Sequence, residues 1–135
     1  MENTVINLTT YLDKFEIVKY QLMNYCFVNK IVLNETQLNS LAVLGEVGKI
    51  SLTRFGELLV ERKLYGNPIS ANNCLYKIDK RLFVKEVGSK KSIFLNPALN
   101  IKSEGNILIN IKLIKVETNA GPKTVSKNSR DAQLA

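Results

Sequence analysis

The sequence predicts an α+β fold, and three observations predict it. Apolar residues recur at three- and four-residue steps from residue 10 to residue 82, the periodicity of helices with one buried face. At Phe83 the pattern switches to short β-branched and aromatic runs divided by a glycine-bearing turn, which is hairpin patterning. Capping residues and Gly or Pro bracket the helical stretches, so the chain divides into short elements rather than one long helix.

The first helix is expected over residues 10–28, where Leu12, Phe15, Val18, Leu22 and Tyr25 form one face and Thr10 and Asp13 supply an N-cap. Tyr11, Ile17, Tyr20, Met23 and Phe27 add a second apolar strip. A helix apolar on two sides needs a partner beyond its own domain or must lie across it. Asn34 and Gln37 match a capping box. They open a second helix at residues 35–47, carried by Leu38, Leu41, Ala42 and Leu44 and stopped by Gly48. Ser51 caps a third helix, residues 52–64, with Phe55, Leu58 and Leu59 on one face; Gly66 and Pro68 follow it as stop signals. Ser70 is read as the cap of a fourth helix, whose narrow buried stripe is Ala71, Cys74, Leu75, Ile78 and Leu82.

Residues 83–87 and 92–95 read as two strands joined by the doubly basic turn Gly88-Ser89-Lys90-Lys91 and closed by Asn96-Pro97. A further strand pair is expected in residues 100–118, because Ile107, Ile109, Ile111 and Leu113 alternate with Leu108, Asn110, Lys112 and Ile114. From Asn119 the chain carries too few apolar residues to support a core and is expected to be a disordered polar tail. The division is thus residues 1–33 (N-terminal segment and oligomerisation helix), 34–99 (central domain), 100–118 (appended strands) and 119–135 (tail). No internal repeat is present.

With 135 residues the chain has room for one core. Its net charge of +7 favours polyanionic partners. Histidine is absent, which removes the commonest general base and metal ligand. No catalytic residue, metal site or cofactor is assigned, and no enzyme activity is expected. Cys26 and Cys74 lack metal or redox spacing and read as small buried side chains in a reducing compartment. No secretory signal and no run of 18 apolar residues occurs. The expectation is a soluble protein that does not engage a membrane.

The chemistry concentrates in the fourth helix and the hairpin. Ala71, Cys74, Leu75, Ile78 and Leu82 point inward on a helical wheel, and Asn72, Asn73, Tyr76, Lys77 and Lys80 point outward. Amides bond adenine edges bidentately, and amines bond phosphates. Ser70 and the amides at the helix start suit a phosphate. Asn72 and Asn73 equally suit first-turn capping, and Tyr76 equally suits packing on the hairpin. Residues 77–91 carry six cations (Lys77, Lys80, Arg81, Lys85, Lys90 and Lys91) against Asp79 and Glu86, a net +4 of the chain's +7. The candidate DNA contacts are therefore Ser70, Asn72, Asn73, Tyr76, Lys77, Lys80, Lys90 and Lys91. Glu57 and Glu61, four apart beside Arg54 and Arg62, read as a surface ion-pair ladder rather than a catalytic pair. Gly45 and Gly48 fit no phosphate-loop pattern.

Helix, helix, turn, helix and basic hairpin is the order of a winged helix-turn-helix core. Residues 35–99 resemble the winged-helix proteins of the MarR-like class, and look closest to small replication or transcription proteins of phages and plasmids. The resemblance lies in the capped run 34–47, the Ile50-Ser51-Leu52-x-x-Phe55 start, Ile69-Ser70 before the fourth helix, and the strand Ser92-Ile93-Phe94-Leu95-Asn96-Pro97. It implies that residues 70–81 read the major groove and that Gly88 to Lys91 touch backbone or minor groove. The chain departs from that pattern in a longer connection at residues 65–69, in lacking an outward arginine on the fourth helix, and in having strands where C-terminal helices are usual.

Two functions follow as expectations. One is transcription or replication control in the host-cell cytoplasm, by a homo-oligomer that binds double-stranded DNA. The other is a structural subunit of a phage virion or other large assembly, such as a ring or connector component. There the winged helix would meet other virion or assembly proteins, since fold alone does not give function.

Overall fold

The computed structural model of the protein describes residues 2–117; the polar tail expected from residue 119 lies outside them. Helix α1 spans Lys14–Asn29 and is capped by Asp13, whose carboxylate accepts from Glu16 N (2.8 Å) while Asp13 N donates to Glu16 Oε1 (3.1 Å). This reciprocal box satisfies two orphan donors at once, so the helix starts there and not at Thr10. It ends with Lys30 left-handed (φ 60°). Val18, Leu22 and Cys26 are its buried face.

Helix α2, Glu35–Val47, carries the expected capping box between Asn34 and Gln37 and ends at Gly48, whose φ of +80° suits glycine. Leu38, Ser40, Leu41, Ala42, Val43 and Leu44 are all buried, because α1 covers one side of α2 and the sheet the other. Buried Ser40 satisfies its hydroxyl by donating to Thr36 O (2.8 Å). Gly45 is the point of closest approach: a Cβ there would collide with Val18 and lie 2.7 Å from Leu95 Cδ1.

A two-residue strand, β1 (Ile50–Ser51), follows and had no signature in the sequence pattern. Helix α3, Leu52–Glu61, has Ser51 as its N-cap, as expected. It stops three residues short of the expected end. Leu64 N bonds to Leu59 O (3.0 Å) and Lys63 N to Val60 O (2.9 Å), with Lys63 left-handed at φ 62°. This is a Schellman closure. It turns Leu64 back onto the core.

Helix α4 spans Pro68–Leu75, with Asn67 as cap (its side chain accepts from Ser70 N, 2.9 Å) and Pro68 in the first turn. Three expectations are corrected here. Ser70 is not the cap: it lies in the first turn and donates its N–H to Asn67, which caps the helix. Pro68 begins a helix instead of following one, since a first-turn proline lacks only an orphan N–H. The helix also ends at Leu75 instead of continuing through residue 81. Beyond it, Tyr76, Lys77 and Ile78 bond three residues back, and the Asp79 carboxylate accepts Arg81 N (2.9 Å), a side-chain turn that competes with helix. Ile78 and Leu82 are buried nonetheless.

Strands β2 (Phe83–Glu86) and β3 (Ser92–Leu95) form the expected hairpin, and β1 adds to the other edge of β3, giving an antiparallel sheet of order β1-β3-β2. Phe83, Ile93 and Ile50 share its core face. Asn96 closes the hairpin by bonding Arg81 O (3.0 Å) and Leu82 O (3.1 Å). After a 3-10 turn at Pro97–Leu99, Gln21 of α1 holds Lys102 by both its carbonyl (2.6 Å) and its N–H (3.0 Å).

The appended strand pair is not formed: residues 101–117 carry no strand. Ile107, Ile109 and Ile111 are 37–40% exposed and Leu108 is 84% exposed. Alternation prepares a segment for pairing, but a strand also needs a partner edge, and none of the described strands supplies one. Over the described residues the fold is α+β, with four α-helices and a three-stranded antiparallel sheet in a layout compatible with a winged helix. Cys26 and Cys74 are free thiols; burial raises the pKa of Cys26.

Candidate nucleic-acid interface

Three elements converge on the basic surface. The N-terminal turn of α3 is tied to the hairpin by Leu52 N donating to Lys91 O (3.0 Å). That bond places Lys90 and Lys91 beside α3, where they share a cleft of about 540 Å³ with Ser51, Leu52, Thr53 and Asn72. A second cleft, about 620 Å³, runs along the hairpin between Lys49 and residues 86–92.

Of the eight residues singled out from the sequence, Lys90 and Lys91 are exposed in the hairpin loop, and Ser70 and Asn73 are exposed on α4. Asn72 does not project with them. It is half-buried, and its Oδ1 would lie 3.3 Å from a Cβ on Gly56, so it turns toward α3. That oxygen has no hydrogen-bond partner. Gly56 leaves the room it occupies. Tyr76, Lys77 and Lys80 are exposed, but in the turns after α4 instead of on the helix.

Those turns bring together a cluster that the helical wheel did not contain. The Tyr76 ring has Lys85 Nζ 4.5 Å and Lys80 Nζ 5.5 Å from its centroid, and Lys80 also lies 5.8 Å from the Phe83 ring. Lys85 pairs with the fully buried Ile93 on the core face of the sheet. Its aliphatic stem is half-buried while its ammonium reaches the ring. Lys85 contributes to the charge of the segment but is not among the contacts expected from the sequence. Strand alternation, which puts it on the side of Phe83, was the signal available.

Ion pairing separates the cations into two sets. Arg81 is bidentate to Asp79 (2.7 and 3.0 Å), and the guanidinium holds that carboxyl below its ordinary pKa. Lys49 pairs with Glu86 and lowers its pKa in the same way. Arg54 bonds Glu61 (2.7 Å) and Glu57 (3.5 Å), the expected ladder, while Arg62 reaches across to Glu46 of α2 (3.0 Å). Among the described residues no carboxylate lies within 4.0 Å of Lys77, Lys80, Lys85, Lys90 or Lys91. Within residues 77–91, setting Arg81 aside leaves these five cations without a carboxylate partner among the described residues; Lys30, Lys63, Lys102, Lys112 and Lys115 lack one as well but are spread over the rest of the chain.

Comparison with family models, curated proteins and solved structures finds no match. Among the described residues no cluster of three or more His, Cys, Asp or Glu could hold a metal, and no helix is long and apolar enough to cross a membrane.

Proposed function

We propose that the chain is a winged-helix protein of a phage or plasmid that binds double-stranded DNA through α4, the turns after it and the basic hairpin, in transcription or replication control. The observation that carries this reading is the clustering of five lysines, Lys77, Lys80, Lys85, Lys90 and Lys91, that have no carboxylate partner among the described residues. Ammoniums left without carboxylates are the groups that neutralise phosphates and release counterions. The order helix, short strand, helix, helix, hairpin supports the same reading, since in that arrangement the last helix and the hairpin approach DNA together.

Phosphate contact is better supported than base reading. Ser70 and Asn73 are the polar side chains left on the exposed face of α4, and it lacks the arginine that most often reads guanine. Mobility shift tests the proposal. Changing Lys77, Lys90 and Lys91 to Glu is expected to abolish the duplex shift, and unchanged affinity would reject the reading.

One observation favours a second reading, a subunit of a virion or other assembly. Tyr20, Met23 and Phe27 form an outward strip on α1, 43–64% exposed, opposite its buried face. As a DNA-binding dimer the protein would use the same strip. Light scattering separates the two: a dimer fits the regulator, and a large ring fits the assembly subunit.

A further inference from the structure

We infer that Tyr76, Lys80 and Lys85 form a stacking site for an unpaired nucleobase, so that the protein prefers DNA in which duplex meets single strand over uninterrupted duplex. The inference rests on the nucleic-acid reading above and deepens it.

Tyr76 is 64% exposed although it is the C-cap of α4, its N–H bonded to Asn73 O and Cys74 O. It is thus held in place by its backbone without being buried. Two ammoniums lie at its ring, 4.5 and 5.5 Å from the centroid. Attraction to the ring quadrupole offsets part of their mutual repulsion. Neither lysine has a carboxylate partner among the described residues, and the rest of the repulsion is relieved when an anion arrives. An exposed aromatic plate with two ammoniums over it holds the donor set that single strands use: the arriving phosphates draw the ammoniums off the ring, and the base stacks on the face they leave. In a duplex the base faces are covered by neighbouring pairs, so a side-chain ring can stack only on a base that has left the helix. The lysines of the hairpin, Lys90 and Lys91, lie beside the start of α3 in a separate cleft. They remain available to duplex phosphates.

The test uses the full chain and two DNA probes: a blunt duplex, and the same duplex with a short single-stranded extension containing 2-aminopurine. The extension is expected to bind at least about 5-fold tighter than the blunt duplex, the lower end of one base stacked on an aromatic side chain. The 2-aminopurine fluorescence should be quenched on binding. Tyr76→Leu should remove both the preference and the quenching, bringing the two probes to equal affinity, and Tyr76→Phe should keep both. Because Tyr76 is exposed, circular dichroism of the Leu variant should match the parent. Equal losses on the two probes would mean that the ring only positions Lys80 and Lys85, and would overturn the inference. So would a parent protein with no preference for the extension. If the extension binds in a Tyr76-dependent way and the blunt duplex is not bound at all, the stacking site stands and the duplex reading fails.

Discussion

Helix α3 with its C-cap Arg62 and the surface from Lys77 to Lys91 both carry cations, yet they differ in what those cations face. On α3, Arg54 is engaged by Glu57 and Glu61, and Arg62 by Glu46. On the other surface Lys77, Lys80, Lys85, Lys90 and Lys91 face solvent or an aromatic ring. Counting charges already separates them, with residues 52–62 neutral and residues 77–91 at net +4. Partnership separates the two much more sharply. A basic run becomes a credible phosphate surface when its cations lack internal acceptors, and the paired set serves packing and solubility.

The largest expected effect sharpens that contrast. Reversing Lys77, Lys90 and Lys91 to Glu should weaken duplex binding by about 100-fold or more at low salt. Arg54→Gln should leave it unchanged in the same mobility-shift assay. An equal effect from Arg54→Gln would erase the distinction between paired and partnerless cations.

Next comes a variant that should disturb the fold without touching the interface. Gly45→Ala puts a methyl against the stiff Val18 side chain and Leu95. Overpacking of this kind costs about 1–3 kcal/mol, read as a lower midpoint in chemical denaturation. The folded fraction should bind DNA with unchanged salt dependence.

The paired surface should matter little to stability. Arg54 and Glu61 are both about half exposed, and solvent and salt screen such pairs so that they contribute little. Arg54→Gln should therefore shift the denaturation midpoint only slightly.

The smallest effect is a pH dependence. Arg81 lowers the pKa of Asp79, Arg54 that of Glu61 and Lys49 that of Glu86. The unfolded chain then binds more protons than the folded one in the acid range. The stabilisation is present above the ordinary carboxylate pKa values and is lost as pH falls through the lowered ones. Thermal melts from neutral to acid pH should show this loss, and Asp79→Asn should flatten the profile slightly.

Local signals carried most of the fold. The Asn34–Gln37 box, the Ser51 cap, Gly48 and the two hairpin strands act over a few residues, and each formed where the sequence indicated. What was not legible depends on distant partners. β1 is two residues long and exists because β3 presents an edge to it. The alternating isoleucines after Gly105 had the pattern of a strand and no edge to join. At α4, first-turn proline and the Asp79 turn overrode apolar periodicity, and the early end of the helix undid the wheel that had grouped Tyr76 with Asn72. The site was legible as charge and only partly as geometry: Lys85 reaches Tyr76 across the join between a turn and a strand.

The salt dependence of duplex binding tests the central claim most directly. Lys77, Lys90 and Lys91, which lie outside the Tyr76 cluster and neutralise one duplex phosphate each, predict a slope of log K against log salt concentration of about −2.7, and each lysine removed should reduce its magnitude by about 1. A slope near zero, or one that does not change when Lys77, Lys90 and Lys91 are replaced, would contradict the account.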